Sequence, residues 1–228
     1  MHSVSASRVI VKLLVGIAIF VGLPLAAWGI KDLHGFWSHP ARVAYAAVVV
    51  LLQVVILIKV PEAGQNRGQG RETKTGQRLV LLLLQVIPLA IVIAAPYGDR
   101  RDLGVFTELP MVRYLGLTLF ALELTGMHWA EAILDKQFSV VVTIQPDHEL
   151  VTHGPYRYLR HPRYLGIILF TAGFALVYRS WLGLVLVAAL ACVLMKRIRD
   201  EEGVMRKEFG TTWDAYVQRT WRLVPFLY

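Results

Sequence analysis

The stretch "HGPYRYLRHPRYLGI", residues 153–167, puts two histidines, three arginines and three tyrosines into fifteen positions that lead into an apolar run. Arg157, Arg160 and Arg163 suit a carboxylate or phosphate, and Tyr156, Tyr158 and Tyr164 offer π faces to a base or a cation. Gly154-Pro155 reads as a tight turn that brings backbone close to a ligand. Pro162 fits the first turn of a helix, where its missing N–H leaves no bond unmade, so a helix is expected to begin at His161-Pro162. The unpaired N–H groups and positive dipole end of that helix favour an anion. The plain alternative is that these side chains are interfacial anchors and snorkelling cations at a membrane edge.

A second group follows in the tail "KRIRDEEGVMRKEFGTTWDAYVQRTWRLVPF". Arg197 and Glu201 stand four residues apart, on one face of a helix, and Glu202 lies about 100° round from Glu201. On a solvated helix this would be a weak surface ion pair. Placed beside His161 and Arg163, however, a carboxylate here could take the ammonium of a zwitterion whose own carboxylate docks at the helix start.

The elements that must position these groups are membrane helices. The chain of 228 residues is 56% hydrophobic and 18% charged, with a mean hydropathy of +0.52, too apolar for an ordinary soluble domain. Residues 9–30, 41–60, 79–95, 112–134, 164–178 and 181–195 are apolar runs bounded by charge. They predict an all-α, polytopic transmembrane helical bundle of about six spans, the last two a helical hairpin. The loops 61–78 and 96–110 are turn-rich, whereas 138–163 opens with a short β-branched run. The first span is read as retained rather than cleaved, because its apolar run exceeds a signal-peptide core. With the N-terminus inside, 18 of the 24 Lys and Arg fall on the inner side, which predicts cytoplasmic N- and C-termini. The formal +8 charge then reflects topology and anionic lipid, and no nucleic-acid partner is expected. The single Cys192 is expected to be a small packing residue inside the last span. No P-loop, HExxH, paired CxxC, G-x-S-x-G or Rossmann fingerprint occurs, so neither a metal site nor a Rossmann cofactor domain is expected.

Glu123 falls in the middle of the fourth run. A charged side chain there costs about 2.5–3.5 kcal/mol to insert, so it should face a cavity or a partner such as Gln53 or Gln85. The functional reading is that Glu123 lines a substrate path.

"HELVTHGPYRYLRHPRYLG" followed by "RIRDEEGVMRKEFGTTWDAYVQRTWRLVP" resembles the isoprenylcysteine carboxyl methyltransferase family and its phospholipid methyltransferase relatives. The matching features are the G-P-Y turn, R-H-P-x-Y-x-G, a helical hairpin, R-x-x-x-E-E, F-G, an aromatic pair and a final Pro, over residues 138–225. The resemblance implies a division into residues 1–137, four N-terminal spans, and residues 138–228, a cofactor-binding and catalytic region. It implies S-adenosylmethionine as cofactor, with His148, Leu150, Val151, Gly154, Tyr156, His161, Pro162, Tyr164, Glu201 and Glu202 around it. Arg197 corresponds to a substrate-side arginine, so Arg197 and Glu201 are the expected catalytic pair, with Arg197 and Glu123 toward a lipophilic acceptor from the bilayer. The spacing before His148 departs from the family, and nothing is carried over for Ser139 to Gln145. A carboxylate acceptor would use Arg197 for orientation, whereas an amine or thiol would call for a base from Glu201, Glu202 or a histidine. An NADPH-dependent sterol or enone reductase carries a similar G-P-Y and R-H-P pattern, and a non-catalytic lipid-binding protein is the third reading.

Overall fold

The computed structural model describes residues 6–59, 71–72, 77–107, 110–134, 143–144 and 150–226, and these are predominantly α-helical. Among the described residues each apolar run lies largely on helix. Residues 9–30 are covered by α1 (Ala6–Ile17), a π-helical turn (Ala18–Gly22) and α2 (Leu23–Trp28). The wider turn precedes Pro24 and absorbs the backbone mismatch that a proline brings to a continuing helix. Gly29, at φ 122°, ends the run. A 3₁₀ turn (Ile30–Asp32) and α3 (Leu33–Trp37) follow, and the chain bends by 88° there. Then come α4 (Pro40–Lys59), α5 (Gln77–Arg101), α6 (Pro110–Leu134), α7 (Pro162–Val177) and α8 (Trp181–Gln218). Among the described residues α5 and α8 are long and apolar enough to cross a membrane, and the bent segment Leu13–Trp37 makes a third if it counts as one span. Two-residue strands β1 (Arg71–Glu72) and β2 (Thr143–Ile144) pair antiparallel, the latter within the β-branched run.

The chain divides into two compact units built from discontinuous stretches, 1–61 with 88–122 and 170–187, and 62–87 with 123–169 and 188–228.

The first unit holds an aromatic core in which Tyr45 meets Phe120, Phe174 and Tyr178 edge to face, at ring centroids 5.0, 5.4 and 6.1 Å apart. Helices α6 and α7 touch at Gly116 and Gly173. A Cβ on Gly116 would stand 2.6 Å from the Gly173 carbonyl oxygen, and one on Gly173 would stand 2.7 Å from the Gly116 oxygen. Only a residue without a side chain fits either position.

Residues 96–101, expected in a loop, continue α5 as helix through Pro88 and Pro96. The physical reason is Asp99, whose side chain is withdrawn from solvent and ringed by guanidinium groups. Arg113 Nη1 and Nη2 donate to it at 2.7 and 2.8 Å, Arg179 Nε at 2.7 Å and Arg42 Nη1 at 3.0 Å. Arg179 also pairs with Asp102 at 2.5 Å. Three buried arginines would be prohibitive alone, and the shared carboxylate makes them tolerable. It also ties the start of α4, the end of α5, the start of α6 and the α7–α8 turn into one knot.

In the second unit α7 and α8 form the expected hairpin partners, packing Tyr164, Leu165 and Ile168 against Leu190, Leu194 and Ile198, with Leu223 from the tail closing the cluster. Helix α8 carries on past its apolar stretch until Gly210, at φ 51° and ψ −123°, breaks it. Cys192 is exposed along α8 rather than packed, since the helix buries only the face bearing Leu190 and Leu194.

Two stability results follow. Asp99→Asn leaves buried arginines short of a counter-charge and should lower stability by about 3–5 kcal/mol, seen as a large fall in the detergent melting temperature; an unchanged midpoint would contradict the knot's importance. Gly173→Ala should cost about 1–3 kcal/mol through backbone overlap, and a neutral effect would show that the crossing can open freely.

Candidate functional site

The site residues of the second unit assemble around the start of α7. Leu150 and Val151 are half-buried in extended chain leading to a 3₁₀ turn, Gly154–Arg157. Gly154 sits at φ 60°, where a Cβ would run into the Ile133 side chain, so the turn tolerates glycine alone. Tyr156 is buried; its hydroxyl reaches toward the Ala130 carbonyl at 3.4 Å, and its own carbonyl accepts from the Tyr216 hydroxyl at 2.7 Å. Burial pushes the Tyr216 phenol up to about 12, so it stays a donor throughout the physiological range.

Residues 158–161 then pair with the tail in parallel. Trp221 N–H donates to the Tyr158 carbonyl at 3.0 Å, Arg160 N–H to Trp221 at 2.8 Å and His161 N–H to Arg222 at 3.1 Å. Helix α7 starts at Pro162 as the sequence predicted, and the His161 carbonyl accepts the N–H of Tyr164 and Leu165 at 3.1 and 3.3 Å. Proline removes one orphan donor of this first turn, and the pairing with the tail fixes the direction of entry.

Five of the expected residues converge here. The His161 ring stacks on Tyr164, with centroids 5.6 Å apart and planes at 19°. Its Nδ1 lies 3.6 Å from Glu201 Oε2 and its Nε2 lies 3.3 Å from Glu202 Oε1. Arg197 is no solvated ion-pair member: it is 4% exposed, and its Nε donates to the Tyr164 hydroxyl at 2.7 Å. The Tyr164 hydroxyl also lies within electrostatic reach of Glu201. Arg197 and Glu201, four apart on α8, therefore border the same phenol from α7.

The two adjacent glutamates differ sharply. Glu202 accepts from Arg160 Nε at 2.8 Å, from Arg222 Nε at 2.9 Å and from Arg222 Nη2 at 2.7 Å, besides facing His161. Burial alone would raise this carboxyl, but hydrogen bonds from His161, Arg222 and Arg160 outweigh it and hold the group at about 2. Glu201 faces the His161 ring and the Tyr164 hydroxyl and feels the charge of Arg197 one turn away; among the described residues no arginine hydrogen-bonds it as Arg160 and Arg222 do Glu202, which leaves its negative charge the better one to receive an external cation.

Other expectations land elsewhere. Arg160, read as an anion ligand, is spent on Glu202, on the Val217 carbonyl at 3.2 Å and on Thr220. Arg157 is exposed. Glu123 is 2% exposed on α6. His148 lies outside the described residues. Sequence reading missed Arg222 and Thr220, because a pairing between residues twenty or sixty apart leaves no local periodicity to detect.

Since the native state holds Glu202 ionised well below the ordinary carboxylate range, its contribution is complete above about pH 4.3 and is lost as pH falls from there through about 2. Wild type should lose melting temperature over that window more steeply than Glu202→Gln. Parallel acid melts for both proteins would show that the carboxylate is not so held.

Known proteins share this region. Residues 115–207 match the isoprenylcysteine carboxyl methyltransferase (ICMT) family. A probable protein-S-isoprenylcysteine O-methyltransferase of Oryza sativa subsp. indica is 27% identical over 164 residues, 69% of this chain and 84% of that protein. Protein-S-isoprenylcysteine O-methyltransferase B of Arabidopsis thaliana is 28% identical over 115 residues, 49% of this chain and 58% of the relative. The solved structure of the eukaryotic intramembrane Ras methyltransferase ICMT superposes with a TM-score of 0.49 and 19% identity, covering 95% of this chain and 98% of the other. The family resemblance that the sequence carries in its G-P-Y turn, R-H-P-x-Y-x-G and R-x-x-x-E-E is the one the family match and the sequence relatives return, and the matched segment contains the whole His161, Tyr164, Arg197 and Glu201 group.

Proposed function

We propose that this chain is an integral-membrane, S-adenosylmethionine-dependent methyltransferase acting on a lipophilic, isoprenoid or lipid-like acceptor at a carboxylate. The observation that carries the reading is the buried Arg197, held side-on by Tyr164 and one turn ahead of a Glu201 that faces His161. The relatives named for isoprenylcysteine O-methylation support the acceptor class.

The donor set fits a zwitterionic, cationic cofactor. Glu201 offers a carboxylate without the arginine hydrogen bonds that hold Glu202, the positive dipole end of α7 favours a carboxylate, and Tyr156 and Tyr164 offer aromatic faces. His148, Leu150, Val151, Gly154, His161 and Pro162 complete the proposed cofactor surface, with Glu202 supporting His161 rather than touching the ligand. When bound, S-adenosylmethionine supplies an electrophilic methyl group on a sulfonium.

The chain's own part is positioning. Arg197 would grip the acceptor carboxylate through its planar guanidinium and fix its approach, the orientation that a lysine could not reproduce. Its low exposure keeps water away from the acceptor, and a reaction in which opposite charges cancel benefits from a dry surrounding. A carboxylate acceptor is already ionised at neutral pH, so no general base is needed. Glu123 is proposed on the acceptor side, where it selects the polar end of the substrate. In this reading residues 138–228 form the cofactor-binding and catalytic region, residues 1–137 supply the remaining spans of a six-span protein, and both termini face the cytoplasm.

Calorimetric titration of detergent-purified protein with S-adenosylhomocysteine tests it. Micromolar binding that falls at least tenfold in Glu201→Gln and survives in Arg197→Lys is expected. Failure of folded wild type to bind, together with a melting shift from NADPH, would overturn it in favour of a reductase.

A further inference from the structure

We infer that Arg222, beyond the matched segment, is a positioning residue of the cofactor site that acts through Glu202 on the His161 ring; this rests on the reading above. Two of the attachments of the tail that carries it are distinct in kind. Its backbone is clipped to residues 158–161 by the three hydrogen bonds from Trp221, Arg160 and His161 N–H groups. Its Arg222 side chain, by contrast, leaves the backbone ladder and ends on Glu202 with both Nε and Nη2, at 2.9 and 2.7 Å.

That second attachment has a consequence for His161. Glu202 has one oxygen, Oε2, on Arg222, and the other, Oε1, between Arg160 Nε at 2.8 Å and His161 Nε2 at 3.3 Å. With the carboxylate plane held by Arg222 on one side and Arg160 on the other, Oε1 is aimed at the ring. An ionised carboxylate only accepts, so His161 presents Nε2–H to it and turns Nδ1 toward Glu201, 3.6 Å away. A carboxylate that orients a working histidine through its far nitrogen is a general device for fixing tautomer and ring angle. Arg222 supplies the outer support for that device here.

The Tyr164 stack shares in this, because the ring that Glu202 orients is the one lying on Tyr164. The Leu223 side chain, next in sequence, is buried in the cluster with Tyr164, so the tail is anchored independently of the Arg222 head group. Removing that head group should therefore leave the tail in place and alter the setting of His161.

The test is a double-mutant cycle on S-adenosylhomocysteine affinity, with Arg222→Met, Arg222→Lys, His161→Asn and the Arg222→Met/His161→Asn pair, each with its melting temperature recorded. Arg222→Met should weaken binding about tenfold while the acceptor KM holds, and Arg222→Lys should recover part of the loss. In the His161→Asn background Arg222→Met should add little, since its effect passes through the ring. Additive losses, or wild-type affinity in Arg222→Met, would overturn the inference. If Arg222→Met does not fold, Glu202→Gln replaces it in the cycle with the same expectation. Wild type that binds no S-adenosylhomocysteine would instead overturn the methyltransferase reading itself.

Discussion

Charge withdrawn from water must be matched at close range, and both units are organised round such a match. In the first, Asp99 gathers Arg42, Arg113 and Arg179. In the second, Glu202 gathers Arg160, Arg222 and His161. The arrangement is the same, one carboxylate with several cationic or hydrogen-bonding neighbours, but the consequences differ. Asp99 joins the ends of four elements and is fully enclosed. Glu202 lies beside a second carboxylate, Glu201, that lacks its arginine hydrogen bonds among the described residues, and in the proposed reading that asymmetry between neighbours on one helix separates support from chemistry.

The geometry of the second unit follows from how α7 begins. A helix opened by proline needs its entering strand held from outside, and the tail does so by pairing with residues 158–161. That pairing brings Arg222 to Glu202 and Leu223 to Tyr164. The long α8 then carries Arg197 and Glu201 on the face that already buries Leu194 and Ile198, so the residues that pack the helix and those proposed to act on ligands share a stripe. Gly210 ends that helix and lets the chain return. Function in this reading depends on the return.

Much of this was legible in the sequence because it is local. Pro162 marked the start of α7, the four-residue spacing of Arg197 and Glu201 put them on one face, and the R-H-P-x-Y and R-x-x-x-E-E motifs pointed to their meeting. The apolar runs located the helices, and the hairpin of α7 and α8 was read from the shortness and close spacing of the last two runs. What stayed hidden is non-local. Pro96 and the polar residues after it read as a loop, since nothing near Asp99 in sequence announces the arginines at 42, 113 and 179 that keep α5 helical. Arg160 read as an anion ligand, since its carboxylate partner is 42 residues away. Cys192 read as packed because hydropathy reports burial in an apolar medium and does not say whether protein or lipid supplies it.

The central claim is that Arg197 presents a lipophilic carboxylate to S-adenosylmethionine, and transfer of a radiolabelled methyl group in proteoliposomes addresses it directly. Wild type should convert an N-acetylated prenylcysteine to a base-labile methyl ester, should leave the corresponding amide unlabelled, and should lose the reaction in Arg197→Lys while that variant still binds S-adenosylhomocysteine. Equal labelling of acid and amide, or full activity in Arg197→Lys, would contradict the account.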